Sequence, residues 1–420
     1  MRNTLQSIVG FLLLTALSWG QGTRVWVLRS PGEMVEYDSA TFAVKQTVKV
    51  PAEAMKSPES IRLNRAGQIL FVIPVPLPLA AEDVASTHKV WLWNGHSATT
   101  IDQGVTREVS ATGSNQAVTE SAPVPFLSAG GGHLFWFANS ARRLQREAVD
   151  LSTLTTWQAW RTDLSGAGRE ELATTKFPDC RCETGTCEET CPYGEFWAPE
   201  SGVENFFLMT QFVPGQSEPE YKASTLYQEA GGKWTVTPLA EPLLRELDAA
   251  TGGETIVEAI PDAGCCGWSN QSNDRTLVLS NGKKRTVFDE QATYKNSDYD
   301  VSFYTSNARL SPDLGYAAMT IVSTAEANKP IQLAEQGSAN PEESQGIRKV
   351  LTELPAVEVK SMDETPRRVA YVPHATLVGW MNEKEILIVE DHVLVVYTLG
   401  TGARRKSGVR VEDSGRVFLR

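Results

Sequence analysis

Six cysteines are the residues whose type and spacing most plainly invite chemistry. Cys180, Cys182, Cys187 and Cys191 fall within twelve residues, and Cys265 and Cys266 are adjacent. Thiols grouped this way pair as disulfides, bind a metal or cycle redox equivalents. An even number in an exported chain argues for disulfides, although spacing does not choose the partners. Zinc is the rival, because four thiolates in a short loop can surround it. The spacing C-x-C-x4-C-x3-C is not the paired C-x2-C of zinc ribbons. Asp179, Glu183, Glu188 and Glu189 add negative charge to the same loop, which raises the cost of four thiolates unless a cation is present. The expectation is a Cys-rich insert loop, 179–193, stapled on itself and to Cys265/Cys266. Each bridge would contribute about 2–4 kcal/mol.

Other groups are weaker. Asn296, Asp298 and Asp300 offer hard oxygens for calcium but lack the EF-hand spacing and its Glu; a solvated loop is the plainer reading. His88, His96, His133, His374 and His392 are scattered, with no His-Glu-x-x-His pair. No Gly-x-Ser-x-Gly elbow anchors a serine hydrolase. No phosphate-cradling glycine loop follows a strand, and Gly130-Gly131-Gly132 reads as a turn. No residue is therefore assigned a catalytic role, and no cofactor is expected. Tyr193, Phe196 and Trp197 border the acidic Cys loop, and Trp268 follows Cys265-Cys266-Gly267. These four aromatics are the candidates for a binding surface. Trp91 with Trp93 and Trp157 with Trp160 read instead as core packing.

Totals exclude some partners. The chain has 420 residues, with 39 Lys and Arg against 51 Asp and Glu, for a net charge of −12. A nucleic-acid surface wants clustered cations, so none is expected. Residues 1–20 resemble a signal peptide: Arg2, the apolar run Ile8–Leu17, then small residues near Ser18 and Gly20. That run is too short to span a bilayer, and no later stretch is apolar enough. The expectation is export to the periplasm or medium, release without a membrane span, and a monomer.

The elements that must position these residues are strands. The stretch Ala375–Ser407 holds three apolar runs and a polar fourth, separated by turn residues. Short apolar runs between turn signals read as buried strands, and four such strands, repeated, build a propeller blade. Hairpins recur around Asp38-Ser39, Asn94-Gly95, Ser165-Gly166, Gly231-Gly232, Asn281-Gly282 and Gly400-Thr401-Gly402. The double gap before Gly400 leaves room for one more copy, placed at 330–354. The expected fold is all-β: one β-propeller over 21–420, of seven four-stranded blades. The strand at 415–419 should join the three strands of the N-terminal blade, because closure leaves no open edge at the seam. Residues 241–250 read as a short helix, with a hairpin about Asp248–Gly253 as the alternative. Stretches 103–122 and 325–346 read as long polar loops.

Ser311-Pro312-Asp313-Leu314-Gly315 resembles the Ser-Pro-Asp-Gly turn of TolB-like and WD40-like propellers, with one extra residue. The resemblance supports the fold and carries no functional residue across. Leu247–Gly253 is similar to the turn of quinoprotein propeller repeats, and a bridge between Cys265 and Cys266 would resemble quinone-dependent dehydrogenases. The repeated Trp-docking motifs and longer chains of those enzymes are missing.

Two functions remain. The first is a non-catalytic propeller that binds a protein or glycan, or serves as a scaffold, through loops at one face of the ring. The second is an extracytoplasmic hydrolase or lyase with carboxylates of different blades meeting in the central channel. Fold alone does not decide between them.

Overall fold

A computed structural model describes residues 23–56, 61–64, 66–76, 86–106, 118–120, 123–147, 150–176, 180–182, 193–197, 206–214, 219–230, 233–239, 247–249, 255–259, 276–279, 284–286, 303–313, 315–323, 352–363, 367–412 and 414–420. The stretch that read most clearly as strands forms one antiparallel sheet: Ala375–Trp380, Glu385–Glu390, Val393–Thr398 and Arg404–Arg410. Its second strand buries Ile386, Leu387, Ile388 and Val389 in succession. A strand with both faces dry needs such an unbroken apolar run, as in a sheet sandwiched between two others. The outermost strand, Arg404–Arg410, is largely exposed and rich in cations, which suits a free edge.

The same unit recurs, and seven sheets are present among the described residues. Sheet 1 is Val417–Leu419, Arg24–Arg29, Glu33–Asp38 and Val44–Lys49, from the innermost strand outwards. Sheet 2 is Ile61–Leu63, Ile69–Pro76, Ser86–Trp93 and Ala98–Thr106. Sheet 3 is Val124–Leu127, His133–Glu147, Asp150–Asp163 and Glu170–Lys176; its long central hairpin also carries Val118–Glu120 and Cys180–Cys182. Sheet 4 is Tyr193–Trp197, Phe206–Pro214, Pro219–Ala230 and Lys233–Leu239. Sheet 5 is Leu247–Ala249, Thr255–Ala259, Thr276–Leu279 and Lys284–Thr286. Sheet 6 is Phe303–Leu310, Tyr316–Ser323, Ala356–Ser361 and Arg368–Pro373. The Ala375–Arg410 sheet is sheet 7. This is the architecture of a β-propeller.

Packing between consecutive sheets follows from strand alternation. On sheet 1, Val25, Val27, Val35 and Tyr37 pack against Leu387, Val389, Leu394 and Val396 of sheet 7. The opposite face, with Trp26, Leu28 and Met34, packs against Ile69, Phe71 and Trp91 of sheet 2. Further apolar clusters join sheets 2 and 3, 3 and 4, and 6 and 7. Trp91, Trp157 and Trp160 are buried in this packing, as expected, and Trp93 is partly buried.

The first and last described strands meet in sheet 1. Val417–Leu419 runs antiparallel to Val25–Val27, with Trp26 opposite Phe418. The Arg24 and Arg420 backbones exchange hydrogen bonds of 2.5 and 3.0 Å just beyond. Three strands from the start of the chain thus receive their innermost fourth from its end.

Four expectations change, one being that the stretch 103–122 is not loop throughout, since its ends lie in the strands Ala98–Thr106 and Val118–Glu120. The sixth outer hairpin is Ala356–Ser361 with Arg368–Pro373, not a copy at 330–354. Its connection, Met362-Asp363-Glu364-Thr365-Pro366-Arg367, lacks the glycine found in five of the other six hairpins. Leu247–Ala249 is a strand paired with Thr255–Ala259, so the hairpin alternative holds there rather than the helix. The insert 179–193 is not loop throughout, because Cys180–Cys182 pairs with Leu151–Thr153 and Tyr193 begins a strand.

The Ser311 turn is less isolated than its motif implies. Ser311 Oγ accepts from the Tyr316 amide, and Ser128 Oγ accepts from the His133 amide in the same way. Asn64 Oδ1 accepts from Gln68 N in sheet 2. The shared signal is Leu, then Ser or Asn, then a glycine just before the second strand: Leu63-Asn64 with Gly67, Leu127-Ser128 with Gly132, Leu310-Ser311 with Gly315. A side-chain acceptor closes each turn without needing a fixed motif.

Gly67 shows how tightly one of these turns packs. Its φ is +80°, and a Cβ there would sit 2.4 Å from Nη1 of Arg24. That guanidinium lies 3.4 Å from the buried Glu36, whose other oxygen accepts from Gln46 at 2.7 Å. Gly67→Ala therefore strains the backbone and pushes Arg24 off Glu36. A loss of about 1–3 kcal/mol is expected, read as a lower urea midpoint. A midpoint equal to that of the parent would refute the packing described.

Asp38 governs the neighbouring hairpin. Its Oδ1 accepts from the Thr41 amide and hydroxyl at 2.9 Å each and from Ala40 N at 3.1 Å. The Thr41 amide bond, the Thr41 hydroxyl and Lys45 together lower the carboxyl pKa to about 2. A depressed folded pKa contributes stability that is complete above the ordinary carboxylate range and is lost as pH falls through about 2. The melting-temperature gap between parent and Asp38→Ala should therefore narrow on acidification from about pH 4 towards pH 2. A gap independent of pH would rule out the ionised acceptor.

Candidate functional site

Strand direction sorts the connections. Successive strands are antiparallel, so second-to-third connections leave on the same face as those linking one sheet to the next. Three segments meet on this face where the last sheet adjoins the first. They are Arg29–Ser30, after the second strand of sheet 1; Asp391–His392, after the second strand of sheet 7; and Val411–Glu412, before the closing strand. A cavity of about 560 Å³ opens between them, within the usual size of small-ligand sites.

Its floor is apolar, formed by Val27, Leu28 and Val411, all at least nine-tenths buried. Its rim is polar. His392 Nδ1 lies 3.1 Å from the carbonyl oxygen of Glu412. That oxygen only accepts, so Nδ1 carries the hydrogen and Nε2 is left to face outward. The Val411 amide donates to the His392 carbonyl at 2.9 Å, which ties the turn to the strand exit. Ser30 Oγ donates to Glu412 Oε1 at 3.3 Å, and Arg416 pairs with Glu412 Oε2 at 2.7 Å. Glu412 is thus neutralised by Arg416.

Two cations remain. Arg29 stacks over the ring of Tyr37 at 5.4 Å. Tyr37 is buried and its pKa is raised by that burial, against the opposing charge of Arg29. Arg410 is exposed at the other lip. Among the described residues neither Arg29 nor Arg410 has a carboxylate partner. The groove therefore offers two guanidiniums to a ligand, with Asp391 in the adjoining turn and Glu33 opposite Arg29 in register, in a chain whose net charge is −12.

The turn beneath His392 is unusual. Asp391 and His392 have φ of 51° and 62°. Two-residue hairpins want positive φ at both positions, which Asn-Gly supplies cheaply. Each non-glycine residue there costs roughly 1–2 kcal/mol. Asp and His tolerate this region better than most side chains, so the turn fixes where the imidazole stands without by itself assigning it a role.

The rim of the central channel is organised differently. Inner strands present open backbone edges there, and donors from the adjoining sheet satisfy them. Arg420 Nε donates to Leu63 O at 2.8 Å, Arg62 Nη1 to Pro125 O at 2.6 Å, and Trp380 Nε1 to Arg309 O at 2.8 Å. The Arg62 guanidinium also lies 3.5 Å over the Phe126 ring. Loss of hydration lowers its pKa to about 10, leaving it cationic at neutral pH. These side chains serve the inner edge of the ring.

The site residues expected from sequence are only partly placed. Cys180 and Cys182 are strand positions opposite Thr153 and Leu151. Tyr193, Phe196 and Trp197 lie on the innermost strand of sheet 4, opposite Phe212, Met209 and Leu208. Cys187, Cys191, Cys265, Cys266, Trp268, Asn296, Asp298 and Asp300 lie outside the described residues. Among the described residues no three His, Cys, Asp or Glu side chains gather as a metal site. No described helix is long and apolar enough to cross a membrane. The groove residues Arg29, Ser30, His392, Arg410 and Glu412 were not singled out by sequence. Asp391-His392 between two apolar strands was the one available signal.

No known family matches the chain, and no curated protein matches it in sequence. Solved structures of similar shape include apo AztD from Citrobacter koseri, at 10% identity over 95% of this chain and 97% of that one, with a TM-score of 0.40. The β-propeller domain of the Trilobed protease from Pyrococcus furiosus is 9% identical over 84% of this chain and 97% of that one, with a TM-score of 0.30. The WD40 domain of SCAP from fission yeast is 9% identical over 91% and 93%, with a TM-score of 0.29. Such likeness concerns the fold, which the sheet order already shows, and transfers no ligand or reaction.

Proposed function

We propose that this protein is an exported, non-catalytic β-propeller that binds its partner, a protein or glycan, through the face carrying the second-to-third and sheet-to-sheet connections. The observation that supports this reading is the groove between the first and last sheets. There an apolar floor, a histidine turn at positive φ and two guanidiniums that lack a carboxylate partner among the described residues line one cavity. Binding surfaces combine an apolar centre with a polar rim in this manner. Export rests on the N-terminal apolar run after Arg2. N-terminal sequencing of protein secreted with its own leader tests that part; retention of Met1 would overturn it.

The binding role is tested on glycan and peptide arrays, beside a panel of glycosidase and polysaccharide-lyase substrates. Probes should bind the parent, lose binding to Arg410→Glu, and undergo no turnover. Turnover of a panel substrate that survives Arg410→Glu would instead favour an active site in the central channel.

A further inference from the structure

We infer that the groove between sheets 1 and 7 binds a small organic carboxylate with an apolar body, the acid group held between Arg29 and Arg410. This rests on the binding role proposed above and names a ligand class for the same groove. Charge points to the acid. Arg29 and Arg410 lack carboxylate partners among the described residues, while the nearby Glu412 is already engaged by Arg416 at 2.7 Å and Ser30 at 3.3 Å. Guanidinium groups favour carboxylates through paired, charge-assisted hydrogen bonds. Arg29 is braced against Tyr37, so little of its freedom is lost on binding. His392 lines the same rim, its ring oriented by the bond from Nδ1 to Glu412 O; its bare Nε2 is an acceptor, so it senses a nearby ligand without helping to hold the acid.

The floor points to the apolar body. Val27, Leu28 and Val411 offer no hydrogen-bonding side chain to a fully hydrated anion such as phosphate. An acyl or similar chain would lie over the few atoms they leave exposed and along the aliphatic stems of Arg29 and Arg410, with its head at the rim. A cavity of about 560 Å³ has room for a chain of roughly eight carbons.

Octanoate is the probe, used with the full-length mature protein. Calorimetric titration should show binding, with octanol and octylammonium at least about tenfold weaker. Arg410→Gln, a change at an exposed side chain, should weaken octanoate about tenfold, and Arg410→Lys should restore part of the loss. In a spectrum of ring-labelled histidines, the signal that disappears in His392→Gln should move on titration, while those of His96, His133 and His374 should not. Equal affinity for octanoate and octanol, an unchanged Arg410→Gln variant, or a still His392 signal would each overturn the assignment. Array binding that depends on Arg410 in the absence of octanoate binding would remove the ligand class and leave the binding role standing.

Discussion

Removal of the closing strand, residues 417–420, is expected to abolish cooperative folding. The strand fills the innermost place of sheet 1 and pairs with Val25, Trp26 and Val27. Val417 is buried against sheet 7, and Phe418 packs towards sheet 2 with Trp26 and Ile69. Burying such side chains is worth about 1.5–3 kcal/mol each when complete, and each lost backbone bond adds about 1 kcal/mol. The deletion also removes the Arg420 donor to Leu63 O, which leaves a carbonyl of sheet 2 unpaired. A total near 5 kcal/mol or more is expected, comparable with the whole stability of many domains. The exposed edge of Arg24–Arg29 would then template association. Urea melts followed by tryptophan fluorescence should lose their sigmoidal transition, and size-exclusion profiles should shift to aggregate. A truncated monomer melting like the parent would mean the seam does not hold the ring.

The second large effect is at Trp157. It is fully buried, with Phe137, Phe207 and Tyr227 at ring-centroid distances of 6.3, 6.2 and 5.6 Å. These rings come from sheets 3 and 4, so the indole fills the wedge between two sheets rather than the core of one. Trp157→Ala should cost roughly 3–5 kcal/mol, because stiff sheets cannot collapse onto the space left. Trp157→Phe keeps an aromatic face towards Phe207 and should cost less than half of that. The measurement is the urea midpoint and slope of each variant, with far-ultraviolet circular dichroism to confirm retained strands. An alanine variant within about 1 kcal/mol of the parent would show that sheets 3 and 4 are not joined through this residue.

What was legible in the sequence was what local patterning controls. Unbroken apolar runs such as Ile386–Val389 require burial on both faces, and only a stack of sheets supplies it. Hairpins with glycine or asparagine stood where their chemistry is obligatory, as at Gly400 and Gly402, where φ is +80° and +69°. The Ala356–Pro373 hairpin was misplaced because its turn uses no such residue. The turn after Ser128 went unmatched to that after Ser311 because one hydroxyl-to-amide bond can be closed over different intervening residues.

The candidate groove was illegible for a different reason. Arg29 and Arg410 are 381 positions apart in the chain and reach one cavity only because the last strand completes the first sheet. Sequence by itself determined an all-β chain of repeated sheets, since alternation and turn chemistry act over a few residues. Tertiary structure alone decided which side chains share a rim, because in a ring of stacked sheets neighbours are set by strand order and direction rather than by nearness along the chain.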